Sequence, residues 1–224
     1  RDANNSEVAF KLIRTTTAGG RIGTLYRGTS ANATTIGTVT WRPTQALLNS
    51  YDQVNDIRYA AYFFDEPLLR SSTARSLASV LINKYAGTTY GTPTELLADG
   101  KVFRTGEMYL IRAEARAELN DLTGAAADLN TLRDARINGY TAASFSSKGD
   151  LITAIMNERF KELAFEGHRF FDAKRRNLPI IRLAVDAQNN KTTLESGNFR
   201  FLLPIPNSEI QANPLMVQNP GYTN

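Results

Sequence analysis

Glu107-Met108-Tyr109-Leu110-Ile111-Arg112-Ala113-Glu114-Ala115-Arg116-Ala117-Glu118-Leu119, then Asn120-Asp121-Leu122-Thr123-Gly124, then Ala125-Ala126-Ala127-Asp128-Leu129-Asn130-Thr131-Leu132-Arg133-Asp134-Ala135-Arg136, is the stretch whose reading decides the fold. Met108, Ile111, Ala115 and Leu119 recur at helical spacing and predict one apolar face, with Thr105 placed to cap the helix. The middle segment reads as a turn, and the last as a second helix. Small residues such as Ala113, Ala117, Ala125 and Ala126 let two helices approach closely, and the short loop makes them antiparallel neighbours. Lys101 to Arg136 is therefore a helical hairpin. A third helix follows: Ser147 and Asp150 are three apart, as in a capping pair, and Ile152, Ile155, Met156, Phe160 and Leu163 form its buried stripe. Glu166-Gly167 marks a break, and His168 to Arg176 continues as a helix or tight turn that ends before Pro179.

Outward from the hairpin the texture changes. Residues 1 to about 46 are rich in Thr, Gly, Ala and Asn. Glu7 to Ile13 alternates loosely as a short strand, and Thr15 to Thr40 is aperiodic and reads as a long irregular loop. Thr44 to Tyr51 reads as a short helix started by Pro43 or Thr44. Asp56 to Phe64 fits either a buried strand or a packed helical turn. After the helices, Phe199 to Leu203 stands out in a loop-like tail with Pro204, Pro206, Pro214 and Pro220. The expected fold class is mainly α with long irregular loops and little β, divided as an irregular part over 1–100, a helical scaffold over 101–180 and a loop-rich tail over 181–224 that packs on the helices.

The 224 residues, 42% of them apolar, suffice for a sizeable core. No run reaches the ~18 apolar residues of a membrane span. No signal peptide is visible, and because the first residue is Arg1 the chain is expected to be a fragment or a processed form. There is no Cys, which excludes disulfides, thiolate zinc sites and a Cys nucleophile. The net charge is +4, with Lys174-Arg175-Arg176 the densest basic cluster. A single cluster without interleaved aromatics speaks against nucleic acid, and a basic last turn complements the helix dipole.

Catalytic signatures are weak. Glu107, Glu114 and Glu118 fall within about 40° on a helical wheel. Carboxylates on one helix face seldom bracket a substrate, so a solvated or inter-helix polar stripe is the plainer reading. His168, the single histidine, has no companions at metal-ligand spacing and no nucleophile signature near it. Gly19-Gly20-Arg21-Ile22-Gly23 is glycine-rich without a convincing helix after it, so a phosphate cradle is not indicated. No catalytic residue, metal or cofactor is expected. The aromatics are more suggestive: Tyr26, Trp41, Tyr51, Tyr59, Tyr62 and Tyr90 lie in or near loop-like stretches, where rings can stack on the C–H faces of sugars while polar neighbours bond the hydroxyls. Trp41 with Arg42, Tyr26 with Arg27, and Tyr90 are the candidate ligand contacts, against the plainer possibility that each ring is core.

Four blocks, in order, resemble the SusD/RagB family. Glu107 to Ala115 is similar to the first helix of its tetratricopeptide-type unit and Ala127 to Arg133 to the second. Ile155 to Asp172 matches the family's most recognisable stretch, and Leu203 to Ile210 with Asn219-Pro220-Gly221-Tyr222 its usual ending; Asp56-Ile57-Arg58 fits as well. The resemblance implies tetratricopeptide-like hairpins of the alpha-alpha superhelix type, and a surface lipoprotein of the outer membrane in Bacteroidetes-type bacteria. Such a protein binds glycans or other nutrients and works with a SusC-like TonB-dependent transporter. Family chains are about twice this length, and the lipidated Cys lies in the part not represented. The matching blocks are scaffold, so no contact residue carries over. Two other functions compete with glycan binding: a tetratricopeptide-type protein-interaction adaptor, and a hydrolase, which is not expected.

Overall fold

The computed structural model describes residues 7–16, 22–27, 30–32, 35–36, 39–66, 79–87, 96–213 and 215–222. The chain divides into two compact parts, Arg1–Ala164 and Phe165–Asn224.

In the first part, strand β1 (Val8–Leu12) is followed by helix α1 (Thr24–Arg27) and the antiparallel pair β2 (Ser30–Asn32) and β3 (Thr35–Ile36). The irregular loop expected over Thr15 to Thr40 thus contains short elements where it is described. Segments of two to four residues are too brief to leave a periodicity. Helix α2 (Gln45–Asn49) is capped by Thr44, whose side chain accepts from the Leu47 N–H. Asp56 to Phe64 resolves into both alternatives: helix α3 (Ile57–Tyr62), capped by Asp56, runs straight into strand β4 (Phe63–Asp65), which pairs with β5 (Val80–Ile82). Strand β6 (Gly100–Arg104) returns antiparallel to β1, with Val8 opposite Arg104 and Leu12 opposite Gly100.

The hairpin is present as helices α4 (Thr105–Glu118) and α5 (Leu122–Asp134), with α6 (Lys148–Glu162) packed on both. Leu110, Ala113 and Ala117 of α4, Ala125, Leu129 and Leu132 of α5, and Leu151, Ile155 and Met156 of α6 form one buried cluster. The fold is mainly helical, as expected, but several local details differ. Thr105 is the first helical residue rather than the cap; its hydroxyl donates to the Glu7 carbonyl, and Arg104 occupies the cap position with its side chain making no capping bond. The second helix starts three residues early because Asp121 accepts from the Gly124 N–H, leaving only Asn120-Asp121 as the turn, with Asn120 in the left-handed region at φ 65°. The expected apolar face of α4 is turned outward: Met108, Ile111 and Leu119 are exposed, and the buried stripe is Leu110-Ala113-Ala117 flanked by buried Glu107 and Glu114. Two stripes compete on this helix, and the one with small residues wins because it lets α5 approach. Asp128 of α5 then accepts a forked pair from Arg112, at 2.9 and 2.7 Å, and a bond from Arg116 at 2.9 Å. The polar stripe is solvated only at Glu118, which pairs with Lys148; Glu107 and Glu114 are not. On α6 the capping pair forms between Ser147 and Asp150, and Ile152 and Phe160 of the expected stripe are half-buried.

In the second part, α7 (His168–Arg175) begins at Gly167, whose φ of 86° is the expected break. His168 is its first residue, and Lys174 and Arg175 make its last turn basic. The strand pair β7 (Ile180–Ile181) and β8 (Thr193–Leu194), a 3-10 turn at Phe199–Phe201 and helix α8 (Asn207–Ala212) complete it.

Candidate ligand surface and the charged core

The block Ile155 to Asp172 contains acids that a helix buried in an apolar core would not tolerate alone. Glu158 and Glu162, one turn apart on α6, are both fully buried. Arg58 of α3 reaches both, at 2.7 Å to Glu158 and 3.0 Å to Glu162, while also bonding its own cap, Asp56, at 2.7 Å. Glu162 further accepts from Arg104 at the end of β6 (2.8 Å) and from Arg136 just beyond α5 (3.0 Å), and Glu158 from Arg133 (2.7 Å). Burial acts to raise the Glu162 carboxyl; the Arg136 hydrogen bond and the charges of Arg104, Arg136 and Arg58 outweigh it and hold the group well below the usual carboxylate range. Gly106 in the first turn of α4 is needed here, because a Cβ would stand 2.8 Å from Glu162 Oε1. Three arginines from three elements thus converge on one carboxylate and fix α3, β6, α5 and α6 in register.

The same centre absorbs several of the aromatics. The phenols of Tyr51 and Tyr62 donate to the Lys161 and Glu162 carbonyls at 2.8 and 3.3 Å, and Lys84 donates to the Ala164 carbonyl at 2.9 Å. These bonds satisfy the carbonyls that the end of α6 leaves open. Tyr51, Tyr59 and Phe63 pack ring against ring. These tyrosines are scaffold.

Of the candidate contacts, the structure brings two together. The Trp41 N–H donates to the Leu25 carbonyl at 3.0 Å, which ties the Trp41 backbone to the residue before Tyr26. Tyr26 lies stacked on Tyr85, with centroids 5.3 Å apart and planes 19° apart, and burial pushes its phenol up. Gly23 permits this: a Cβ there would lie 2.8 Å from the Tyr85 carbonyl and 3.0 Å from that of Leu96. Trp41 itself is 59% exposed and Leu25 45%. Arg42, next in the chain, is half-buried. The backbone of Arg27 belongs to α1; its side chain, and all of Tyr90, lie outside the described residues. Tyr85 is the member that sequence reasoning missed. Its position in the turn just after β5 was the available signal. The arrangement is an exposed indole whose backbone is tied to α1, the helix that carries the braced Tyr26–Tyr85 pair; each ring type suits stacking on a flat ligand with C–H faces. Among the described residues no group of His, Cys, Asp and Glu forms a metal site, and no helix is long and apolar enough to cross a membrane.

Comparison with known proteins agrees with the scaffold. SusD-like protein P25 of Formosa agariphila is 30% identical over 129 residues, covering 55% of this chain and 24% of that protein. A SusD superfamily protein of Bacteroides thetaiotaomicron has a structure similar over 98% of this chain and 50% of its own, with a TM-score of 0.80 and 27% identity. A laminarin-binding SusD-like protein matches over 98% of this chain and 51% of its own, with a TM-score of 0.69 and 26% identity. The chain thus spans about half the length of these solved relatives, and its aligned part about a quarter of the curated one. The SusD family model matches residues 58–222, from the arginine at the charged centre to the Tyr222 that ends the last block, and the chain belongs to the SusD family.

Proposed function

We propose that this chain binds a glycan, or another nutrient of similar shape, at the outer-membrane surface and delivers it to a SusC-like TonB-dependent transporter, without chemistry of its own. The observation that carries this reading is the exposed Trp41, whose backbone is bonded to Leu25 of α1, the helix that also carries the Tyr26–Tyr85 stack. The laminarin-binding relative supports a polysaccharide as the ligand class. The residues of the first hundred, with Trp41, Tyr26, Arg42, Arg27 and Tyr90 as contacts, carry recognition; residues 101–180 are scaffold and 181–224 a loop-rich tail. Attachment to the membrane is through a lipid anchor. Titration calorimetry of the chain against a panel of polysaccharides tests binding. Incubation of the bound glycan followed by product analysis tests the absence of hydrolysis, which would be overturned by sugar release that disappears in Glu114→Gln.

One observation favours the second reading, a protein-interaction adaptor: the row Met108, Ile111 and Leu119 faces outward from α4. On that reading the chain binds no glycan, and pull-down captures a protein partner whose binding is lost in Ile111→Glu and is not competed by any sugar; glycan binding in the titration above counts against it.

A further inference from the structure

The second part of the chain carries a cavity of about 300 Å³ that the Trp41 surface does not use. One wall is the end of α7. There Asn177, left-handed at φ 51°, terminates the helix, and the Leu178 N–H closes back onto the Ala173 carbonyl at 2.8 Å. The other wall is the turn between β8 and the 3-10 turn, where Gly197 is left-handed at φ 75° and the Asn198 side-chain oxygen accepts from the Arg200 N–H at 3.0 Å. Both walls are therefore set by local hydrogen bonds before any ligand arrives. Leu178, Phe199, Phe201 and Leu202 make the interior apolar. Phe201 is buried and stacked on Phe170, and Phe199 meets Tyr222 edge-on at 4.9 Å, so these rings do not have to be ordered on binding.

The rim is polar and uncommitted. The side chains of Lys174, Asn177 and Ser196 bond no described residue, and Asn198, with its oxygen occupied, presents its amide N–H groups. No carboxylate lines the cavity. An apolar interior with a few converging polar groups, at the small end of the usual range of ligand-pocket volumes, matches a ligand with C–H faces and a belt of hydroxyls. We infer that this cavity is a second sugar subsite, sized for one pyranose ring, with the hydroxyls taken by Lys174, Asn177, Ser196 and Asn198. The site is independent of Trp41 and goes beyond the function proposed above, sharing with it only the ligand class.

Saturation-transfer NMR of the 224-residue chain with glucose, galactose, mannose and xylose tests it. Transfer to the ring protons of at least one of these sugars is expected, and is expected to persist in Trp41→Ala. It falls at least five-fold in Ser196→Phe, which fills the cavity, and in Asn177→Gly, which removes the amide while keeping the left-handed backbone at no steric cost. The inference is overturned if no sugar shows transfer, or if transfer is lost in Trp41→Ala and unchanged in both cavity variants. Loss of polysaccharide binding in Trp41→Ala is read separately, so failure of either site is distinguishable from failure of the other.

Discussion

Replacing Glu162 by Gln keeps the shape of the side chain and removes the charge on which Arg58, Arg104 and Arg136 converge at 3.0, 2.8 and 3.0 Å. The residue is fully buried, so water cannot replace the lost charge. Removing one member of a buried ion pair costs about 3–5 kcal/mol, because the partner charges remain desolvated. For a domain of this size that corresponds to a fall in Tm of roughly 6–20 °C. The pH dependence carries a second signature. The Glu162 carboxyl lies below its ordinary value in the folded state, so its contribution is complete above the unfolded value of about 4.3 and is lost as pH falls from there toward the folded value. Urea unfolding followed by circular dichroism at pH 7, 5, 4 and 3 gives both quantities. The gap between the natural chain and Glu162→Gln is expected to be constant from pH 7 to 5 and to narrow below pH 4. A difference under about 1 kcal/mol at pH 7, the range of an exposed pair, refutes the claim that this carboxylate fixes the scaffold. A gap that does not narrow in acid refutes the assignment of the charge to Glu162.

Gly167→Ala is expected to destabilise the chain by about 1–2 kcal/mol in the same assay, because φ is 86° while nothing lies within 4 Å of an added Cβ, so the whole effect is conformational. Asp121→Ala removes the cap of α5 and lowers stability by about 1 kcal/mol, with Asp121→Asn largely restoring it. Leu110→Ala opens a void at the meeting of α4, α5 and α6 and costs about 2–5 kcal/mol. Gly23→Ala pushes α1 away from Tyr85 and Leu96; weaker glycan binding by calorimetry is expected, with the unfolding midpoint changed far less than by Leu110→Ala.

The helices were legible in the sequence because their caps and small residues act within a few positions. Ser147 with Asp150 and Gly167 needed no tertiary partner to be read. The outward turn of Met108, Ile111 and Leu119 was not legible, since α4 carries two apolar stripes and only the close approach of Ala113 and Ala117 to α5 decides between them. The burial of Glu158 and Glu162 was equally hidden: their partners come from α3, β6, α5 and the segment after it, up to 104 positions away. The candidate ligand surface, as a cluster of side chains, was half legible. An indole in a glycine- and threonine-rich stretch is conspicuous, yet the pairing of Tyr26 with Tyr85 depends on a backbone approach at Gly23 that leaves no periodic trace.

Titration calorimetry of the chain and its Trp41→Ala variant against a panel of polysaccharides tests the central claim most directly. Binding to at least one polysaccharide is predicted, weakened about five-fold or more in the variant, as the loss of a stacking contact of about 1 kcal/mol requires, with the unfolding midpoint unchanged. Equal affinity in the two proteins, or no binding to any glycan by either this chain or a longer one that contains it, would contradict it.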